Sequence, residues 1–197
     1  MGLTSGNSLS SGGGGASGLS EGNVNTLIKS NTPWQKIGKI SVGTSTEVVF
    51  DNIPNTWTTL LVNFDNISGA SNSWRLLMQV YKDGETSSSG TYAWTALNRQ
   101  IGSQYFSGTT SSSSYPIMIG HTADANWSGT GDMLITGLAA GYKPVFRSRF
   151  ATGTSTLDNS LFDMSGAYQP TGQVTGLRFY LSTGTFDEGS IHLSGLN

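Results

Sequence analysis

The sequence contains no cysteine, few charged residues and no long apolar run, and each absence narrows the classes of protein that it can encode. Without a single Cys among its 197 residues, the chain can form neither a disulfide framework nor a thiolate nucleophile. Its apolar runs fall well short of the roughly 18 residues of a membrane-spanning helix, so no membrane insertion is expected. The N-terminus lacks the basic start and apolar core of a secretory signal, which favours synthesis and assembly in a cytoplasm.

Charge is scarce, and this argues against broad electrostatic binding to nucleic acid or to an anionic membrane. Charged residues make up 11% of the chain and its net charge is −2, whereas about a quarter of residues are charged in a typical domain. Broad binding to nucleic acid needs clustered Lys and Arg, so no nucleic-acid partner is expected. What the chain has instead is 27 Gly, much Ser and Thr, and many aromatic residues, which suit half-buried sheets. The composition predicts one all-β domain, with room for an appendage.

The appendage is predicted at the N-terminus, as an arm comprising residues 1–36, followed by a β-sandwich domain comprising residues 37–197. Residues 1–22 are rich in Gly and Ser and cannot bury a core, so alone they should form a flexible chain.

The end of the arm has a different composition. Val24, Leu27 and Ile28 have helix-like spacing, and Trp34 follows a proline. We predict that these four side chains dock the arm on a partner protein. The alternative is a disordered leader.

From residue 37 onward, short apolar stretches alternate with clusters of Gly, Ser, Asn and Asp, and no helix of ten residues is predicted. Many short strands separated by turn signals are typical of a sandwich or barrel. Period-two alternation, as in Leu177, Phe179 and Leu181, indicates strands with one buried face. The predicted strands are 37–42, 46–50, 57–64, 74–82, 91–98, 101–106, 115–120, 131–138, 144–151, 176–182 and 189–195.

Two of these strands lie close together in residues 48–64, VVFDNIPNTWTTLLVNF. Pro54 cannot donate a backbone hydrogen bond to a sheet, so it is placed in the turn. We predict that this turn caps one end of the sandwich, with Ile53 and Trp57 as plugs, and that it is a structural corner rather than a binding site.

The same stretch carries a resemblance to a known family. Residues 47–64, EVVFDNIPNTWTTLLVNF, resemble the opening pattern V-x-F-x-x-I-P-x-T-[YW]-x-x-L-x-[LIV] of small β-sandwich domains in tailed-bacteriophage virion proteins. Residues 174–197, VTGLRFYLSTGTFDEGSIHLSGLN, are similar to the closing pattern of that family, a strand, a G-x-F-x-x-G-S turn and a short last strand. Between the two stretches the likeness is only one of strand rhythm.

The resemblance implies a jelly-roll-like antiparallel β-sandwich located on a virion, often a homotrimer, with no universal catalytic residues. The expected function is a non-enzymatic virion protein, anchored by its arm to other virion proteins. Its sandwich would project as a tail-fibre or baseplate appendage that contacts host surface polysaccharide. The alternatives are a capsid decoration protein that stabilises the head and, from another class, a free lectin-like carbohydrate-binding module.

Catalytic and metal chemistry find little support in the sequence. His121 and His192 are the only histidines; the first lies in a polar loop, and the second alternates with core residues and is expected to face solvent or a neighbouring subunit. The carboxylates are scattered, so a glycan-cleaving pair is a weaker alternative. No catalytic residue, metal site or cofactor is predicted.

Aromatic residues in or beside polar loops are the candidate glycan or partner contacts. Aromatic faces together with amide and hydroxyl groups suit a neutral sugar. The residues with this character are Tyr92, Trp94, Tyr105, Tyr115 and Trp127; the alternative is that they belong to the core or to a subunit interface.

Two arginines alternate in the segment VFRSRF. Arg147 and Arg149 lie two residues apart, so they should share one face of a strand. We expect them to form a polar stripe or pairs across a subunit interface, rather than a phosphate site.

Overall fold

A computed structural model shows an all-β protein, which confirms the predicted fold class. The structure describes residues 34–83, 92–100, 103–110, 117–121, 128–153, 160–169 and 171–197. A compact unit extends from Trp34 to Asn197. The first strand begins at Gln35, slightly before the predicted start of the sandwich at residue 37.

Twelve strands lie in the described residues, and all of their pairings are antiparallel. They are β1 (Gln35–Ser41), β2 (Glu47–Phe50), β3 (Thr59–Ser68), β4 (Arg75–Lys82), β5 (Tyr92–Gln100), β6 (Ser103–Thr110), β7 (Ile117–His121), β8 (Ser128–Thr136), β9 (Val145–Thr152), β10 (Ser160–Tyr168), β11 (Val174–Leu181) and β12 (Ser190–Leu196).

Two sheets form the sandwich, and their strand order is that of a jelly roll. The larger sheet has the order β1-β12-β3-β8-β9-β10-β5-β6, and the smaller one has the order β2-β11-β4-β7. Eight strands therefore pair as a long hairpin rolled upon itself: β1 with β12, β2 with β11, β3 with β8 and β4 with β7. This folding of two Greek keys into two sheets is the jelly-roll arrangement.

The remaining four strands are insertions that extend the larger sheet. The hairpin of β5 and β6 is inserted between β4 and β7, and the hairpin of β9 and β10 between β8 and β11. The two insertions meet where β10 pairs with β5 over nine residues. They are joined to the jelly roll where β9 pairs with β8.

The core is a continuous apolar layer between the sheets. Phe179 of the smaller sheet contacts Phe50 beside it and Phe64 across the sandwich, with ring centroids 6.3 and 5.5 Å apart. Phe64 in turn meets Phe150 of β9 at 6.0 Å. All three pairs are edge-to-face, a favourable arrangement of aromatic quadrupoles, so aromatic packing connects both sheets and the inserted strands.

The turn at Asn52–Asn55 carries the chain from one sheet to the other. It connects β2 in the smaller sheet with β3 in the larger sheet. Asn52 has a φ of 52°, a left-handed conformation that Asn tolerates well, and Ile53 is buried. The N–H of Ile53 donates to the carbonyl of Thr175 at 2.9 Å.

The two stretches that carry the family resemblance pair with each other in both sheets. In the smaller sheet Val48 lies opposite Phe179, and in the larger sheet Val62 lies opposite Leu193. Residues far apart in the sequence thus form one continuous unit that closes the sandwich.

Eleven strands were predicted and β10 was missed. Phe162 and Met164 point inward in β10, but Gly166 interrupts the alternation. The structure shows why a glycine is there: a Cβ at this position would lie 2.7 Å from the Cβ of Trp94 on the neighbouring strand. Close approach of two strands therefore weakened the period-two signal.

Candidate binding groove

The outer face of the inserted strands carries a groove with three arginines. Strand β9 alternates strictly between exposed and buried residues, because one face packs on the core and the other meets solvent. The groove has a volume of about 360 Å³ and lies across β9, β10 and β5. We call it the arginine groove; its principal polar lining residues are Thr95, Arg99, Arg147, Arg149, Asp163 and Ser165.

Asp163 forms ion pairs with two of these arginines, Arg99 and Arg149. It lies opposite Arg149 in the pairing of β10 with β9, and the Nε of Arg149 donates to its Oδ1 at 2.9 Å. Arg99 approaches the other carboxylate oxygen at 3.9 Å. The hydrogen bond to Asp163 and its negative charge, with a smaller contribution from Asp132, raise the pKa of Arg149 above its ordinary value. The side chain of Arg149 is thus bonded across the strand pair to β10.

Arg147 has different neighbours. Its position lies between Ser165 on β10 and Leu134 on β8, both neutral, whereas Arg149 lies between Asp163 and Asp132. Arg147 is exposed, and within the described part of the chain its guanidinium has no hydrogen-bond or ion-pair partner. It also lines a second depression of about 250 Å³ on the side of β8. Its five donors are therefore available to a ligand.

The outer face of the smaller sheet holds another arginine, but this one is fully engaged. Arg178 forms an ion pair with Glu47 at 2.6 Å and donates to the side chain of Gln79 at 2.8 Å. Its guanidinium also lies 4.6 Å from the ring centroid of Tyr180, a cation–π distance. These contacts link β2, β11 and β4, so the cluster is best explained as a cross-strand brace.

Burial affects the tyrosines on this face. Partial burial raises the pKa of Tyr180 above its ordinary value of about 10, and the charge of Arg178 opposes this shift. The pKa of Tyr81 is raised for the same reason. Both phenols are thus held in their neutral form over a wide pH range.

Two of the predicted glycan contacts, Tyr92 and Trp94, have described side chains, and both pack in or against the core. Tyr92 is fully buried in β5, so its placement in a ligand-binding loop is corrected: it is a core residue, as the alternative interpretation allowed. Trp94, also in β5, is half-buried against the core. Tyr105 lies in β6, where only its backbone is described. Tyr115 and Trp127 lie outside the described residues.

The docking residues of the arm can be located only in part. Trp34 is half-buried directly before β1. Val24, Leu27 and Ile28 lie outside the described residues, so their docking role stays a prediction.

His192 lies on the outer face of β12, where it is half-buried. Its Nε2 is 2.9 Å from the hydroxyl of Ser190, a distance compatible with a nucleophile and a base. Among the described residues no carboxylate bonds the other ring nitrogen to complete a triad. His121 is described only by its backbone, at the end of β7.

The described residues contain no group of three His, Cys, Asp or Glu side chains placed to hold a metal ion. They also contain no helix that is long and apolar enough to cross a membrane.

The arginine groove was not predicted as a site. The alternation of Arg147 and Arg149 was visible in the sequence and correctly indicated a polar stripe. The register that places Asp163 beside Arg149 could not be read, because β10 itself was missed. Comparisons of the chain with protein-family models, with curated proteins and with solved structures gave no match.

Proposed function

We propose that the protein is a non-enzymatic structural protein of a tailed-bacteriophage virion. Its N-terminal arm docks on a neighbouring virion protein, and its jelly-roll sandwich projects as a tail-fibre or baseplate appendage that contacts host surface glycans. The observation that carries the proposal is the pairing of the two resemblance stretches. Residues 47–64 resemble one family's opening pattern and residues 174–197 resemble its closing pattern, and the two stretches pair with each other in both sheets.

The arm supplies the attachment in this proposal. A Gly/Ser-rich chain loses conformational entropy when it orders on a partner, but it can cover a large surface for its length. Val24, Leu27, Ile28 and Trp34 would provide the apolar contacts that offset this loss.

Self-association into a homotrimer is part of the proposal. Light scattering on the purified chain should give three times its 20.7 kDa mass. A mass of 20.7 kDa for the purified chain would contradict the trimer.

The arm is tested in particles produced from cells that express the full chain or a variant. Replacing Val24, Leu27 and Ile28 by Ser should abolish incorporation into purified particles. A matched control with Asn25 and Thr26 replaced by Ser should be incorporated as the wild type is. Incorporation of the apolar variant at the wild-type level would contradict docking by these side chains.

The behaviour of particles that lack the protein distinguishes a tail or baseplate location from a location on the head. Intact particles that adsorb poorly to host cells support a host-contacting appendage. Particles that lose their heads on mild heating indicate the capsid decoration function instead. If the wild-type chain is absent from purified particles but binds sugars in solution, the free lectin-like module is correct and the virion proposal is wrong.

A further inference from the structure

We propose that the arginine groove binds the carboxylates of an acidic polysaccharide, with Arg147 as the principal contact. This deepens the proposed function, on which it rests for the kind of ligand, a polysaccharide of the host surface. The groove itself is argued from the residues that line it.

The groove lies outside the part of the fold that closes the jelly roll. Eight strands complete the roll by pairing with one another. All residues that line the groove come from β5, β9 and β10, which belong to the two insertions. Functional sites are commonly added to a fold by such extensions, and these strands bring three arginines to one surface of an otherwise acidic protein.

Charge favours an anionic ligand at one end of the groove. Arg99 and Arg149 share Asp163, so the pair of arginines exceeds the carboxylate by one positive charge. Arg147 adds a second positive charge and has neutral residues on both sides, and Asp132, opposite Arg149 on β8, brings the excess back to one. The excess positive charge is therefore concentrated at Arg147. The side chain of Arg149 is 61% exposed despite its ion pair, so it can turn remaining donors toward a ligand beside Arg147.

Guanidinium geometry favours a carboxylate. Two parallel N–H donors of one arginine match the two oxygens of a carboxylate, which gives a bidentate pair. Arg147 and Arg149 point the same way and are two residues apart on β9, about 7 Å along a strand. They can therefore bind carboxylates of neighbouring units of a polymer, or one carboxylate from two sides.

The surroundings favour a sugar rather than a peptide or a nucleic acid. The backbones of β9, β10 and β5 are paired on both sides, so they offer no free edge for an extended peptide to join. A nucleic acid would bring closely spaced phosphates against Asp132 and Asp163. Exposed hydroxyls of Thr95 and Ser165 flank the arginines, and the half-buried Leu97 offers an apolar surface to a sugar ring.

The experiment measures binding of the purified full chain to hexuronate polymers. The probes are polygalacturonate, polymannuronate and polyglucuronate, each compared with the same polymer after its carboxyl groups have been reduced to alcohols. Dextran sulfate serves as a polyanion without carboxylates. We expect the wild type to bind at least one hexuronate polymer and not its reduced form, with affinity that falls as salt rises.

Substitutions locate the site. Arg147→Gln should weaken binding by about tenfold to a hundredfold, the loss expected for one charge-assisted hydrogen bond. Arg147→Lys keeps the charge without the planar fork and should give a smaller loss. Arg75→Gln is the matched control, since it removes an equal charge from an exposed residue of β4 and should bind as the wild type does. Arg147 is exposed, so thermal unfolding of both variants should match the wild type.

Several results would overturn the inference. These are binding to none of the three polymers, equal binding to a reduced polymer or to dextran sulfate, and wild-type affinity in Arg147→Gln. Incorporation of Arg147→Gln into particles is measured separately. If Arg147→Gln is incorporated normally but no longer binds the polymer, both the virion proposal and the polysaccharide proposal are supported. If the wild type is incorporated normally but binds no polymer, only the polysaccharide proposal is overturned.

Discussion

The phenolic oxygen of Tyr92 accepts a hydrogen bond from the backbone N–H of Val80, at 3.0 Å. The two residues lie on different sheets, and both are fully buried. On one side β4 is paired with β11 along its length, but on the other side β7 reaches only as far as Met78. Tyr92 therefore supplies the partner that Val80 would otherwise lack beyond the end of β7. The first inserted strand is fastened in this way to the inside of the smaller sheet.

Removing the hydroxyl of Tyr92 should lower the free energy of unfolding. Tyr92→Phe keeps the ring, and with it the packing against Tyr168 at 4.9 Å, but it leaves a buried N–H without a partner. Such a group costs about 1–3 kcal/mol. We expect the free energy of unfolding in urea to fall by this amount.

Tyr142→Phe is the matched control, because Tyr142 is 66% exposed and its hydroxyl can bond water. It should change stability by less than about 0.5 kcal/mol. Equal, small effects of the two substitutions would mean that Tyr92 does not satisfy Val80.

Trp57 and Gly195 connect the two resemblance stretches at the end of the sandwich. The Trp57 ring lies against Gly195, where an added Cβ would come within 2.5 Å of the Cε3 atom of the ring. Gly195→Ala should therefore overpack the site and destabilise the protein by about 1–3 kcal/mol, measured by urea unfolding.

The cause can be isolated by repeating this substitution in a Trp57→Leu background. Without the large ring, Gly195→Ala should cost clearly less. A cost that stays the same in both backgrounds would assign the effect to the strand backbone rather than to Trp57.

Tyr180 should make the protein lose stability at alkaline pH. Burial raises its pKa in the folded state above the ordinary value of about 10. Below about pH 10 the phenol is neutral in both states, and its contribution is fully present. As the pH rises further, the unfolded chain loses the proton first, so stability is lost up to the folded-state pKa.

Tyr180→Phe should accordingly lose less stability than the wild type when urea unfolding is followed from about pH 8 to about pH 11. A Tyr180→Phe curve that coincides with the wild type would contradict the assigned effect of burial.

The sequence was sufficient to predict the layered fold, because the fold depends on a local signal. Residues such as Leu177, Phe179 and Leu181 alternate inward along one strand, and this alternation can be read without knowing their partners. Proline at position 54 and the apolar residues around it likewise indicated a corner between strands.

The arginine groove could not be predicted, because it depends on pairing between distant strands. Arg149 and Asp163 meet through the register of β9 with β10, which no local pattern reveals. Tyr92 shows the opposite difficulty: next to a polar loop in sequence it suggested a surface contact, yet tertiary packing buries it beside Val80.

The central claim, that the protein is part of a phage virion, is tested most directly by locating it on particles. Because the chain has no Cys, Thr44→Cys in the exposed turn after Val42 provides a single thiol for a maleimide-gold label. Labelled particles are then imaged by electron microscopy, with the unsubstituted chain as the control for background. The account predicts gold on the tail or its appendages. Gold spread over the head would assign the decoration function. Particles without gold, purified from cells that make the Thr44→Cys chain, would contradict the account.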